Sequence, residues 1–295
     1  MKRLLFVLFA CFSQVVLAQE APYFEDMRVW SLNGEDSVRH IFADTAFIRI
    51  SPDTRQLPID TLLAGDDVTI TQITDKSLTL KGLKGPWLQV RYIKDGIAKD
   101  GYIWQGLIGC SPMRRGDVKF IYAVDRRADS SYVLEGTKEI SKRFLIRLKV
   151  VQKGKILASG SLITPDDESA SYSTAKVMSG MGLTGVQNII TLTFSGEACG
   201  IPTYDYYFGW TKEGKLVRFP DKTNVGDAGA YYHSETFTFP NEKNGKPDMI
   251  VWNMTTEEAT DNLDKDGNNI MATTEKGEKQ YVWDPVNAKV SLIAK

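Results

Sequence analysis

The feature that most constrains this chain is its two-residue hydrophobic period, which runs from about residue 47 to the C-terminus and is broken by glycine turns. Val68-Thr69-Ile70-Thr71-Gln72-Ile73 and Trp87-Leu88-Gln89-Val90-Arg91-Tyr92 alternate apolar and polar side chains, the pattern of strands with one buried face. The same texture returns at 118–124, 144–151, 156–163, 189–194, 206–210, 216–219, 237–239, 249–252, 281–283 and 289–293. Between these runs lie turns of one kind, such as Lys153-Gly154-Lys155, Glu213-Gly214-Lys215 and Asp266-Gly267-Asn268, where glycine supplies the positive φ of a tight hairpin. Only two stretches leave room for other structure. Residues 169–185, rich in Ser, Gly, Ala and Met, read as a long mobile loop, and residues 253–264 as a single helical turn. The chain is therefore expected to be all-β.

Five or so short strands fall within residues 47–108 without an intervening helix, and they cannot bury both faces as one flat sheet. A small barrel is expected. Four motifs in order carry a resemblance: Ile48-Arg49-Ile50-Ser51-Pro52, then Leu62-Leu63-Ala64-Gly65-Asp66-Asp67-Val68-Thr69-Ile70, then the tryptophan strand at 87–92, then Gly101-Tyr102-Ile103-Trp104. With these the segment 44–112 resembles the bacterial SH3 (SH3b) family, with a longer insertion at 74–85. The resemblance implies an SH3-like barrel, contact with a peptide or cell-wall component, and a ligand groove lined by Tyr92, Tyr102 and Trp104. Trp87 reads as core.

The rest divides around this module. Residues 19–43 read as an N-terminal arm, with Val29 and Trp30 apolar enough to pack on the barrel. Arg114-Arg115-Gly116-Asp117 reads as a linker, and 113–295 as a larger antiparallel β domain, a sandwich or an incomplete propeller-like array. A weak internal echo, which suits either arrangement and which chance similarity between hairpins explains as well, sets Ile189-Ile190-Thr191-Leu192 and Tyr206 to Trp210 against Met249-Ile250-Val251-Trp252 and Gln280 to Trp283.

The N-terminus sets the expected compartment. Met1-Lys2-Arg3 precedes an apolar run to Ala18, and Val16-Leu17-Ala18 places compact residues at the minus-three and minus-one positions of a cleavage site. Residues 1–18 read as a signal peptide, and the protein as exported to the periplasm or cell surface. Leu8-Phe9-Ala10-Cys11 has the outline of a lipidation box, but its apolar stretch is short and Ala18 is the better site. No later segment has the length and apolarity of a membrane span. Cleavage removes Lys2 and Arg3, leaving 34 basic against 37 acidic residues, a balance that argues against a nucleic-acid partner. It also leaves two cysteines, Cys110 and Cys199. These are either a disulfide across the domain junction or two thiols packed as small hydrophobes.

No catalytic set emerges. A cysteine peptidase would have to use Cys199 with His233, one of only two histidines, in a context without helical periodicity. Gly-x-Ser-x-Gly is absent, and Gly180-Met181-Gly182-Leu183-Thr184-Gly185 lacks the strand-to-helix setting that a dinucleotide loop needs. Asn262, Asp264 and Asp266 before Gly267 match the first half of a calcium loop, but Thr273 stands where a bidentate glutamate is required; an exposed hairpin tip is the favoured reading and no cofactor is expected. Tyr204, Tyr206, Phe208 and Trp210 share one strand face, read as core, or as a sugar or peptide platform if exposed. The best acids, Glu197, Asp205, Asp227 and Glu235, nominate no pair by spacing. The chain is thus expected to be a non-enzymatic binding or scaffold protein of the cell envelope, its partner a peptide, a cell-wall component or an envelope protein. The alternative is a cell-wall hydrolase with its site in the C-terminal domain.

Overall fold

A computed structural model describes residues 25–32 and 37–293, so the 1–18 segment and part of the arm lie outside the described residues. Among the described residues there are twenty-one strands, three short 3-10 turns and no α-helix, and every strand pairing is antiparallel. The all-β expectation holds. Among the described residues no helix is long and apolar enough to cross a membrane.

The first sheet comprises β1 (Ser37–His40), β2 (Thr45–Arg49), β3 (Pro58–Leu63), β4 (Asp67–Leu80), β5 (Leu83–Lys94) and β6 (Ile97–Trp104), in the order β1-β4-β5-β6-β2-β3. β4, β5 and β6 form a meander, and a 3-10 turn at Gln105–Leu107 follows it. The chain then returns beside its own start through an Ile41–Ile108 bridge, with Gly109 N–H donating to His40 C=O. The 3-10 turn Glu25–Trp30 buries Val29 and Trp30 completely, and the Trp30 indole N–H donates to the Ile108 carbonyl at 3.0 Å.

The residues read as a linker instead form a hairpin. β7 (Met113–Arg115) turns through Gly116, at φ +58°, into β8 (Val118–Arg127), because a run of charged residues suits a two-residue turn as well as a tether. β9 (Ser130–Leu134) and β10 (Thr137–Ser141) form a separate exposed ribbon. β11 (Arg143–Gln152) and β12 (Lys155–Pro165) then complete a four-stranded sheet ordered β12-β11-β8-β7.

The last sheet holds nine strands. They are β13 (Tyr172–Ser179), β14 (Val186–Ser195), β15 (Thr203–Thr211), β16 (Leu216–Arg218), β17 (Lys222–Asp227), β18 (Tyr231–Thr238), β19 (Met249–Leu263), β20 (Asn269–Asp284) and β21 (Lys289–Leu292). They run β13-β14-β15-β17-β18-β19-β20-β21, with β16 beside β15. Much of each stretch read as irregular or helical is strand here. Residues 172–179 pair along their length with β14, because Ser173, Ala175 and Val177 alternate toward the core and a partner strand takes up the backbone. Residues 253–263 belong to β19, where β20 supplies the ladder. The glycines at 180–185 form the turn between β13 and β14. A Cβ on Gly180 would sit 1.9 Å from the Val186 carbonyl oxygen, so the position requires glycine. The two echoing segments lie in this one sheet and not in separate blades.

The three sheets stack as layers, with the four-stranded sheet in the middle. Along β11, Phe144, Ile146, Leu148 and Val150 point to one side, and along β8 Phe120 and Tyr122 pair with them. This side meets the nine-stranded sheet: Tyr122 packs edge-on to Phe194 at 6.4 Å, and the Tyr206 hydroxyl donates to Thr164 Oγ1 at 3.2 Å. The alternate side carries Lys119, Ile121, Asp125, Arg147, Lys149 and Val151, and it meets the first sheet. Lys119 donates to the Gly65 carbonyl, and Val151 packs on Gly65. One continuous apolar core therefore joins the arm, the first sheet, the middle sheet and one face of β14 and β15. A second core, around Ile189, Tyr207, Phe219, Phe239, Ile250 and Trp283, lies on the other face. β15 divides the two: Tyr206, Phe208 and Trp210 enter the first core and Tyr207 the second.

Candidate functional site

The three aromatics expected to line a groove do not share a surface. In the β5–β6 register, Trp87 faces Trp104, Gln89 faces Tyr102, and Tyr92 faces Lys99. Strand alternation then puts Tyr102 and Trp104 on one face of the sheet and Tyr92 on the other, with Leu88, Val90 and Ile103. Tyr92 is buried, its hydroxyl donating to Asp60 Oδ2 at 3.3 Å, where Lys99 also binds at 2.9 Å. Burial first, and the Asp60 carboxylate second, push its ionisation up to about 12. Tyr102 is partly buried against the first core. Trp104 is buried too, its indole N–H donating to the Gly85 carbonyl at 3.1 Å.

Trp104 nevertheless opens onto a cavity. A space of about 400 Å³ lies between the first sheet and the middle sheet. Leu80, Leu83, Trp104 and Leu107 wall it from one layer, and Val124 and Ile156 from the other. Its charged groups are Asp44, Lys81, Asp125, Arg147 and Lys149. Asp125 is held on both oxygens, by Lys81 at 3.0 Å and by Arg147 Nε and Nη2 at 3.1 and 2.9 Å. Burial alone would raise the Asp125 carboxyl; the bonds from Lys81 and Arg147 together outweigh it and hold the group below the usual carboxylate range. The Lys149 side chain is only 9 % exposed; its ammonium donates to the Phe42 carbonyl at 2.8 Å and to Asp44 Oδ1 at 2.6 Å, over the Phe42 ring. Size, apolar walls and a few converging polar groups are the attributes of a small-ligand site.

The cysteines are free thiols, not a bridge. Cys110 is buried in the first core, its amide donating to the Tyr122 carbonyl, while Cys199 sits exposed in the turn at 196–202. Layer packing places one inside and the other at the rim of a different sheet. Burial pushes the Cys110 thiol up to about 12, against the opposing charge of Arg39. Cys199 is therefore expected to react with a disulfide reagent in the folded protein, and Cys110 only after unfolding. Thiol counts taken before and after denaturant would check this, and a protein with no reactive thiol until reduction would contradict it.

Asn262, Asp264 and Asp266 lie exposed at the β19–β20 hairpin tip. Asp264 Oδ1 accepts the amides of Asp266 and Asn268, and its Oδ2 accepts from the Asn268 side chain. Those bonds, the Asn268 amide foremost, hold its carboxyl low. The aspartate thus closes its own turn around Gly267. Among the described residues no three His, Cys, Asp or Glu side chains converge as metal ligands.

The aromatic face of β15 is core, so it offers no sugar platform: Tyr206, Phe208 and Trp210 are buried and Tyr204 packs on them. Of the four acids singled out, Glu197 and Asp227 are exposed. Asp205 pairs with Lys222 at 3.4 Å. Glu235 accepts from Thr223 N–H, Trp252 Nε1 and His233 Nε2 at 2.8, 3.0 and 3.1 Å. His233 is thereby tied to Glu235 and Thr256. The acid that sequence reasoning missed is Asp221. Partial burial raises its carboxyl above the usual range although the side chain is 43 % exposed; Arg218, bonded to both its oxygens, opposes this, and the Glu235 charge adds a smaller push. Nothing in its Pro220-Asp221-Lys222 context marked it out.

Arg147 and Lys149 did leave a trace in the sequence, as two cations alternating inside the apolar run Phe144 to Val151. Alternation alone assigns them to solvent; only the docked first sheet turns that face into a cavity wall. In comparisons with known proteins, no family model matches this chain, and no curated protein matches its sequence.

Proposed function

We propose that this is an exported, non-enzymatic binding or scaffold protein of the cell envelope, and that it holds a peptide or cell-wall component in the cleft between its first two sheets. The interlayer cavity, walled by Trp104 and floored by paired charges, is the observation that carries the reading. Two further features support it. The β4–β6 meander, the 3-10 turn after it and the Ile41–Ile108 bridge bring the first sheet back beside its own start and so form one wall of the cleft, and residues 1–18 have the pattern of an export signal.

The test is co-sedimentation of the protein with insoluble peptidoglycan, scored together with release of soluble fragments. Binding without release is expected, and Ser159→Trp, at the exposed cavity rim, should abolish it. Binding that survives this substitution would remove the cavity from the proposal. A second reading, a hydrolase with its site in the C-terminal domain, would draw on Asp221, whose carboxyl is raised while Arg218 holds both of its oxygens. Fragment release that disappears in Asp221→Asn would establish that reading instead.

A further inference from the structure

We infer that the interlayer cavity selects a ligand ending in a free carboxylate next to a short apolar segment, the chemistry of a peptide C-terminus. This rests on the cavity reading above and adds the chemical class of its occupant.

Three cations, Lys81, Arg147 and Lys149, meet two carboxylates, Asp44 and Asp125, so the cavity has one positive charge without a counterpart. Asp125 has both oxygens engaged by Lys81 and Arg147, and it cannot also neutralise Lys149. Asp44 reaches Lys149 through one oxygen, but its own side chain is 76 % exposed, and water screens a charge in that position. Lys149 is the buried partner. A buried ammonium is stable only when its hydrogens and its charge are met. Two of its three hydrogens go to Phe42 C=O and Asp44 Oδ1, leaving one donor. Arg147 uses Nε and Nη2 on Asp125, and among the described residues its Nη1 has no partner. Both donors belong to neighbouring cavity-facing positions on β11.

A single carboxylate fits this arrangement. It brings one negative charge, and its two oxygens can accept from an ammonium and a guanidinium together. A phosphate dianion would overcompensate and meet Asp44 and Asp125 at the same cleft. The other walls, Leu80, Leu83, Trp104, Leu107, Val124 and Ile156, carry no charge, so the atoms beside the carboxylate must be apolar.

The experiment compares N-acetyl-Leu-Ala as the free acid with the same peptide as its C-terminal amide, by titration calorimetry on the full folded chain. The acid should bind at least about tenfold more tightly than the amide, the scale of a lost charge-assisted hydrogen bond. Arg147→Gln should reduce that preference, with circular dichroism reporting whether the variant is folded. The acid–amide comparison needs no variant and stands even if Arg147→Gln does not fold. Equal affinities would overturn the carboxylate inference while leaving the cavity reading intact, provided Ser159→Trp abolishes both. Absence of binding by the acid at millimolar concentration also overturns it, and peptidoglycan co-sedimentation then judges the cavity reading separately.

Discussion

Replacing Trp30 by alanine is expected to destabilise the protein by about 3–5 kcal/mol, the range for a large aromatic deleted from a core that cannot collapse around the loss. Trp30 has no exposed surface, and its indole closes the chain return at Ile108. Its neighbour Val29 accepts a hydrogen bond from Ser173 Oγ, and Ser173 also bonds the Tyr122 hydroxyl at 3.0 Å. The turn at Glu25–Trp30 therefore touches all three layers, and the void left by Trp30→Ala opens where they converge. Trp30→Phe separates the contributions. It keeps most of the apolar burial but leaves the Ile108 carbonyl without its donor, at a cost of about 1–3 kcal/mol. Urea midpoints for both variants give the measurement. A shift under about 1 kcal/mol for the alanine variant would mean that the turn is peripheral to the core.

Trp283→Ala should cost a similar amount, about 3–5 kcal/mol, but with a different spatial signature. This indole is buried in the second core, packs edge-on to Phe219 at 5.6 Å, and donates to the Thr184 carbonyl at 2.8 Å. It ties the end of β20 to the 180–185 turn, which Asp248 also braces through the Thr184 amide and hydroxyl. Because β14 and β15 stand between the two cores, the loss should open the second core first. Amide exchange is expected to quicken at 180–185 and along β21, while β8 and β11 keep their protection. The Trp30→Ala and Trp283→Ala effects should then add to within about 0.5 kcal/mol. Strong coupling, or uniform loss of protection, would show that the two cores unfold as one.

Asp60 shows why the groove assignment went astray. Residues 87–92 and 101–104 were recognisable as strands from alternation, since period-2 burial is a local property of the chain. Whether Tyr92 shares a face with Tyr102 depends on which residues stand opposite one another, and that is set by the turn at Asp95-Gly96 and by the ladder. The register sends Tyr92 inward to Asp60 and leaves Trp104 on the side that meets the middle sheet. The 172–179 strand escaped notice for a related reason. Its serines, alanine and lysine dilute the strand preference of Tyr172, Thr174 and Val177, and β14 supplies the hydrogen bonds that make it a strand.

Local physics decided what could be read without a structure. The two-residue period and the charged glycine turns determined an antiparallel all-β chain, the aromatic face of β15 and the hairpin tip at Asp264. Each depends on residues within a few positions of one another. The cavity belongs to the other category. Lys149 bonds the carbonyl of Phe42, 107 residues away, and Lys81 bonds Asp125 across 44. Contacts of that span follow from how three sheets stack, and stacking buries the outward-facing Lys149 and half-buries Arg147. Periodicity tells which side chains share a face; only the tertiary structure tells whether that face meets water, a core or a ligand.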